Sequence, residues 1–579
     1  MARIEVKHVT TDLSKVLRLL GIASVAIFHA ANSWAASPQP VFAENGMVVS
    51  DSQEASEVGV AILRRGGNAV DAAVAVGFAL AVTHPSAGNL GGGGFMVARM
   101  SDGSTFTIDY RETAPAAAHR DLFLDANGDV IPGLSRGSHL ASGVPGSVDG
   151  LLRAFRDHGS GKLSRRDVLK PAVLLAKRGF PLSRFLASSL NGYRSTFEKH
   201  PGSANSFVKK DASPWQANDR FVQRDLSRTL DRIARKGRDG FYRGPVADAL
   251  VAEMQRGNGI ISHADLAGYQ SKYRDPILGM YRELKVVSMP PPSSGGVHVV
   301  QMLNMLDALA ITDFGWNGSD YVHRLTEVQR RAYADRAEHL GDPDYWDVPV
   351  SMLTSREYAS QLAGAIDLDR ATPSTEIEAG TAPPKEGDST THYSVVDKDG
   401  NAVSVTTTIN LGFGSGIAVD GAGFLLNNEM DDFSAKPGVP NAFGLLGNDA
   451  NAIEPGKRML SSMTPTIVLK DGQPFLVVGS PGGSTIITTV LQIILNAGVH
   501  KMNVQEAVSA PRVHSQWMPD VIAMEPRAIQ PDVISRLEEM GHSIQPRGHW
   551  GSANSILINA RGLWGAADPR QGNSFAAGY

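Results

Sequence analysis

Four times along the chain, two runs of strand-forming residues flank a short turn rich in Asp, Asn and Gly. Phe95 to Arg99 and Thr105 to Tyr110 enclose Ser101-Asp102-Gly103, and His392 to Val396 and Ala402 to Thr408 enclose Asp397-Lys398-Asp399-Gly400-Asn401. A third pair lies within Thr464 to Gly479 around Lys470-Asp471-Gly472, and a fourth, around Asn559-Ala560-Arg561-Gly562, closes the chain. A hairpin joins its strands antiparallel, whereas parallel neighbours need a crossover. Helical stretches separate these hairpins, so the pattern predicts an α+β chain of antiparallel sheets covered by helices, not a parallel α/β sheet.

The helical stretches carry their own punctuation. Asp51 and Glu54 have capping-box spacing, Ser52 to Arg65 reads as helix, and Gly66-Gly67 stops it. Asn68 caps a second, very apolar helix from Ala69 to about Val82, too short to cross a bilayer. Gly88-Asn89-Leu90-Gly91-Gly92-Gly93-Gly94 allows close backbone approach but lacks the spacing of a dinucleotide-binding loop. From about Leu151 to Ala365 the chain reads as mostly helical, interrupted by Pro290-Pro291-Pro292-Ser293-Ser294-Gly295-Gly296. Gly479-Ser480-Pro481-Gly482-Gly483-Ser484 leads into an apolar helix, Thr485 to Asn496.

At 579 residues the length suggests about four domains at ~150 residues each. With 55 basic against 59 acidic residues the net charge is −4, which gives no electrostatic footprint for nucleic acid or an anionic membrane. No cysteine is present, so disulfides, thiolate metal sites and a cysteine nucleophile are excluded. Lys15 and Arg18 precede the apolar run Leu19 to Phe28, and Ser33-Trp34-Ala35 supplies the small residues a signal peptidase reads. The expectation is a signal peptide over 1–35, cleavage after Ala35 and a periplasmic or secreted product without a membrane span.

No G-x-S-x-G elbow, H-E-x-x-H or Walker loop occurs. The strip Ala371 to Ser389 has almost nothing apolar beyond Ile377 and is expected to be exposed and without packing of its own. It ends at Thr390-Thr391, where a strand begins. A threonine hydroxyl needs a base beside it to attack a carbonyl. A cut before Thr390 would free an α-amine of pKa about 7.7–8.0, which puts nucleophile and base on one residue. A linker running into a β-branched strand has the same local pattern. Gly482-Gly483, between strand and helix, presents bare N–H groups suited to an oxyanion hole; a tight turn needing positive φ would also use glycine.

Several motifs in order resolve these alternatives. Thr390-Thr391-His392-Tyr393-Ser394-Val395-Val396-Asp397, Leu426-Asn427-Asn428-Glu429-Met430-Asp431-Asp432-Phe433, Leu460-Ser461-Ser462-Met463-Thr464-Pro465, Gly479-Ser480-Pro481-Gly482-Gly483, the Gly88 to Phe95 stretch and Asp109-Tyr110-Arg111-Glu112 together resemble the γ-glutamyltransferases. The likeness runs from about residue 45 to Tyr579.

The resemblance implies an N-terminal-nucleophile hydrolase fold, a four-layer αββα sandwich of two antiparallel sheets. It also implies a proenzyme that cuts itself into a large subunit (36–389) and a small one (390–579). These would form a heterodimer within one interwoven domain, which replaces the length-based count. Thr390 would form the acyl-enzyme, Thr408 would orient its hydroxyl, and Gly482 and Gly483 would hold the oxyanion. Arg111, Ser461 and Ser462 would meet the substrate α-carboxylate, and Asn410, Glu429 and Asp432 its α-ammonium. No cofactor or metal is implied. Substrates would be glutathione and other γ-glutamyl compounds, with water or amino acid and dipeptide amines as acceptors.

A cephalosporin or glutaryl acylase on the same fold would have no use for an anionic Asp432, and a non-catalytic exported binder would need no chain break. Two departures stand out. Glu429 occupies a place where many bacterial members carry glutamine, and Phe443 one where a tyrosine commonly tops the lid. The missing phenol hydroxyl predicts a looser lid.

Overall fold

The computed structural model of the protein describes residues 37–377 and 390–579. The expected signal peptide and the end of the polar strip lie outside the described residues. Residues Pro40–Tyr579 form one unit built on two seven-stranded sheets.

The first sheet runs, edge to edge, through Phe575–Gly578, Met47–Ser50, Thr390–Val396, Ala402–Thr408, Gly93–Arg99, Thr105–Asp109 and Lys272–Arg274. The second runs through Val41–Ala43, Gly562–Ala566, Ser555–Asn559, Gln473–Val478, Thr466–Lys470, Leu284–Ser288 and Ile277–Tyr281. Every neighbouring pair in both is antiparallel.

Side-chain alternation along the strands sorts the apolar residues into layers. Phe95 and Val97 join Ile467 and Val477 in a core between the sheets. Met96 and Ala98 face the helical side, packed with Val74 and Phe78. On the far side Val468 and Val478 pack with Leu303, Val328 and Leu491. The order is therefore helices, sheet, sheet, helices: the four-layer αββα sandwich, α+β, of the N-terminal-nucleophile hydrolases.

The punctuation read from sequence largely carries over. The apolar helix is Ala69–Thr83 with a capping box from Asn68 to Asp71, and all of its residues are buried. The preceding helix is Gln53–Arg64, but its cap is Ser52, whose side chain accepts from Ala55 N. Asp51 is turned inward instead, and accepts from Thr391 Oγ1 at 2.7 Å and from Asn554 Nδ2 at 2.8 Å.

Three expectations need correction. The stretch read as mostly helical is so, but it also contains the unexpected hairpin Ile277–Tyr281 and Leu284–Ser288, which edges the second sheet. Its turn residue Arg282 takes φ 53° without a glycine or asparagine to announce it. The fourth hairpin does not close the chain, because Phe575–Gly578 follows and pairs with Met47–Ser50. The polar strip is not bare at its start: Ser374 is buried, and its hydroxyl donates to Trp517 O at 2.7 Å.

The glycine run earns its composition by close approach. A Cβ on Gly92 would lie 2.1 Å from Thr408 O, and one on Gly91 2.1 Å from Leu425 O. Only hydrogen side chains let these backbones pass, and they pass beside Thr408.

Candidate active site

Thr390 opens its strand and stands directly opposite Thr408 in the register. Cross-strand partners share a face, and the Thr390 hydroxyl donates to Thr408 Oγ1 at 3.3 Å. Thr408 Oγ1 also accepts from Asn410 N at 2.8 Å. From the opposite face, the Asp51 carboxylate grips Thr391 and also accepts from Ser552 Oγ at 2.5 Å, which pins the start of the strand. His392, two residues on, is committed elsewhere: its ring bonds Thr406 Oγ1 and Ser394 Oγ, and burial pushes it down to about 3. It is not the base for Thr390.

Nine of the ten residues expected at the site line one small cavity, with free space of about 20 Å³: Thr390, Thr408, Arg111, Asn410, Glu429, Asp432, Ser461, Ser462 and Gly483. Gly482 does not line it. Its carbonyl accepts from Thr485 N at 3.0 Å and Thr485 Oγ1 at 2.7 Å, which starts the helix Thr485–Gly498. Gly482 and Gly483 have φ 134° and 54°, so the turn requires glycine at both. Among the described residues neither N–H has an acceptor. A Cβ on Gly483 would meet the Phe443 ring at 2.4 Å.

Charge at the far wall is unequal. The Arg111 guanidinium, 1% exposed, reaches Glu429 Oε1 and Asp432 Oδ2, each at 2.5 Å. Glu112 Oε2 lies 3.8 Å from the same guanidinium. One cation therefore faces three carboxyl groups. Burial pushes Glu112 up to about 8, Asp432 up to about 6 and Glu429 well above the usual range, with Arg111 opposing each shift. Burial works against the charge on Arg111, but Glu429, Asp432 and Glu112 together hold its pKa above the ordinary value.

Sequence reasoning missed part of the lining: Arg336, Leu445, Met463 and Ile486. Arg336 donates to Ser462 Oγ at 3.2 Å and Ser294 Oγ at 3.0 Å, and burial lowers it to about 10. It lies inside the long helix Ser319–His339, where no local signal marks it. Glu112 belongs to the Asp109-Tyr110-Arg111-Glu112 motif, but its place beside the Arg111 guanidinium has no signal in the sequence. Phe443, over which a looser roof is expected, lines the cavity. The side chain is buried, and the Phe443 and Gly444 carbonyls both accept from Gln516 Nε2 at 3.3 Å.

Among the described residues His323, Glu327 and His542 place donor atoms close enough for a metal. Glu327 is already paired with Arg330 at 2.9 Å and Arg331 at 2.7 Å, and these two cations make the cluster a poor host for a dication.

The profile of the Gamma-glutamyltranspeptidase family matches residues 55–578. The chain belongs to the γ-glutamyltranspeptidase family. The glutathione hydrolase proenzyme of Escherichia coli (strain K12) is 50% identical over 541 residues, 93% of each chain. Among solved structures, the cephalosporin acylase of Bacillus halodurans superposes with a TM-score of 0.81 at 26% identity, covering 94% of this chain and 98% of that one. The γ-glutamyltranspeptidase of Helicobacter pylori aligns with a TM-score of 0.56 at 41% identity, over 60% of this chain and 97% of that one. Like other members of the γ-glutamyltranspeptidase family, the protein is an enzyme of acyl transfer and hydrolysis. Among its described residues no helix is long and apolar enough to cross a membrane.

Proposed function

We infer that this protein is an autoprocessed γ-glutamyltransferase and glutathione hydrolase whose nucleophile is Thr390. A cut before Thr390 leaves its α-amine next to its own hydroxyl. With a pKa of about 7.7–8.0, a useful share of that amine is unprotonated near neutral pH and takes the hydroxyl proton. Thr390 Oγ1 attacks the γ-amide carbonyl, and the developing oxyanion meets the Gly482 and Gly483 N–H groups. The amine then protonates the leaving nitrogen, and the γ-glutamyl ester stays on Thr390. Water resolves it by hydrolysis; the amine of an amino acid or dipeptide resolves it by transfer. No cofactor takes part.

The single observation that carries the glutamyl reading is a pair of buried acceptors. Asn410 Oδ1 and Glu429 Oε2 have no hydrogen-bond partner, and both residues line the cavity that holds Thr390. Leaving such atoms unpaired is costly. An ammonium group supplies the donor that Asn410 lacks and, as a cation beside Glu429, favours the ionised carboxylate that burial alone disfavours, so that Oε2 can accept as well; Asp432 beside them supplies further charge. On the same wall Arg111, Ser461 and Ser462 face the carboxylate that a γ-glutamyl group carries on the same carbon. A glutaryl group would leave both acceptors unsatisfied, which disfavours an acylase specialised for it.

The mature enzyme is a periplasmic or secreted heterodimer of residues 36–389 and 390–579. N-terminal sequencing of active protein tests this: the expected small-fragment start is Thr390-Thr391-His392-Tyr393. Turnover of γ-glutamyl-p-nitroanilide should rise with added glycylglycine. Full turnover by a Thr390→Ala variant would overturn the assignment.

A further inference from the structure

One side chain joins the cavity roof to the loop that carries Gly483. We propose that Gln516 is a positioning residue for acyl transfer. Its amide ties the roof at Phe443 and Gly444 to Ser484, so that roof closure and the placement of the Gly483 N–H are set together. The proposal rests on the reading of Thr390 as nucleophile and Gly483 as an oxyanion donor.

The geometry is specific. Gln516 Nε2 donates to Phe443 O and to Gly444 O, each at 3.3 Å. Gln516 Oε1 accepts from Ser484 Oγ at 2.6 Å and from His514 Nε2 at 3.1 Å. The two roof groups are carbonyls and can only accept, so the amide nitrogen must face them. His514 is neutral at working pH, because burial lowers it to about 4. Because Gln516 Oε1 can only accept, the neutral ring carries its one N–H on Nε2, and its Nδ1 faces Thr488 Oγ1 at 2.9 Å.

The two halves differ in strength. The roof bonds lie near the long limit for N–H···O, whereas the Ser484 bond is at the short end for O–H···O. When the roof lifts, the weak half breaks first and the amide stays on Ser484. Ser484 is the neighbour of Gly483, and its carbonyl also accepts from the Tyr333 hydroxyl. Tyr333 lies one helical turn before Arg336, which holds Ser462. The Phe443 ring, against Gly483, completes the link from above.

Two substitutions separate the halves. Gln516→Glu keeps acceptors for Ser484 and His514 but sets a carboxylate oxygen against two carbonyls. Ser484→Ala cuts the loop half and leaves the roof bonds. With γ-glutamyl-p-nitroanilide at pH 8, Gln516→Glu should raise KM about tenfold with kcat largely kept, and Ser484→Ala should lower kcat about tenfold with KM kept. Hydrogen exchange of the amides at 439–447 should quicken in Gln516→Glu alone.

Wild-type constants in both processed variants overturn the proposal, and so does one common change in kcat and KM, which would indicate a packing role only. Should Gln516→Glu fail to process, Ser484→Ala decides alone, and a wild-type kcat there is fatal. Absence of a wild-type fragment beginning at Thr390 would instead defeat the underlying nucleophile assignment.

Discussion

Asp432 is the residue whose chemistry is most exposed to solution conditions. Burial holds its carboxyl up at about 6, against the pull of Arg111. Above that value the group is ionised and can pair with an ammonium; below it the charge is lost. The Michaelis constant for a γ-glutamyl donor should therefore rise as pH falls through about 6. Asp432→Asn should flatten that limb and raise KM at pH 8 by about tenfold or more, since a hydrogen bond to a charged group is worth roughly 1.5–3 kcal/mol. Steady-state KM from pH 5 to 8.5 checks this, and an unchanged limb in the variant would show that another group titrates there. The proposed free amine of Thr390 would affect turnover at higher pH, about 7.7–8.0 for an ordinary α-amine, so the two titrations should separate. Arg111 is matched by Glu429 and Asp432, and under the proposed function a substrate carboxylate would compete with them.

Among elements, the hairpin Thr390–Val396 with Ala402–Thr408 and the glycine run before Phe95 act as one device. The hairpin register puts Thr408 opposite Thr390. The glycines let the next strand run against Thr408 without side chains in the way. Gly92→Ala tests this, because its new Cβ would fall 2.1 Å from Thr408 O, a backbone atom with little freedom to yield. Overpacking of this kind typically costs about 1–3 kcal/mol, and here it would also displace the Thr408 hydroxyl that is proposed to orient Thr390. The expected outcome is a lower Tm together with slow or absent chain cleavage on a denaturing gel. A Gly92→Ala protein that matures at the normal rate would show that Thr408 tolerates displacement.

Taken whole, the molecule is held together across the proposed cut. The first sheet places Thr390–Val396 between Met47–Ser50 and Ala402–Thr408, so strands from both sides of the scissile bond are hydrogen-bonded neighbours. The second sheet likewise pairs Thr466–Lys470 with Leu284–Ser288. Cleavage therefore releases no separate domain. The two fragments, about 38 and 20 kDa when 61.6 kDa is shared over 579 residues, should co-elute in native size exclusion and part only in denaturant. Their separation under native conditions would contradict the interleaved sheets.

Much of this was legible in residue order because the relevant signals are short-range. Asp-Gly turns set hairpins, Asn68 with Asp71 caps a helix, and period-two alternation assigns the sheet faces. The motif set led to nine residues that do line one cavity. What remained hidden is long-range. The turn at Arg282 carries no turn residue, and its hairpin is held by pairing with Thr466–Lys470. Asp51 has the spacing of a cap, yet the fold turns it toward Thr391, 340 residues away. Arg111 meets Glu429 across 318 residues. Arg336 and Gln516 have neighbours no spacing rule could supply. Such contacts depend on how two sheets and their helices stack, and that arrangement exists only once the chain has folded.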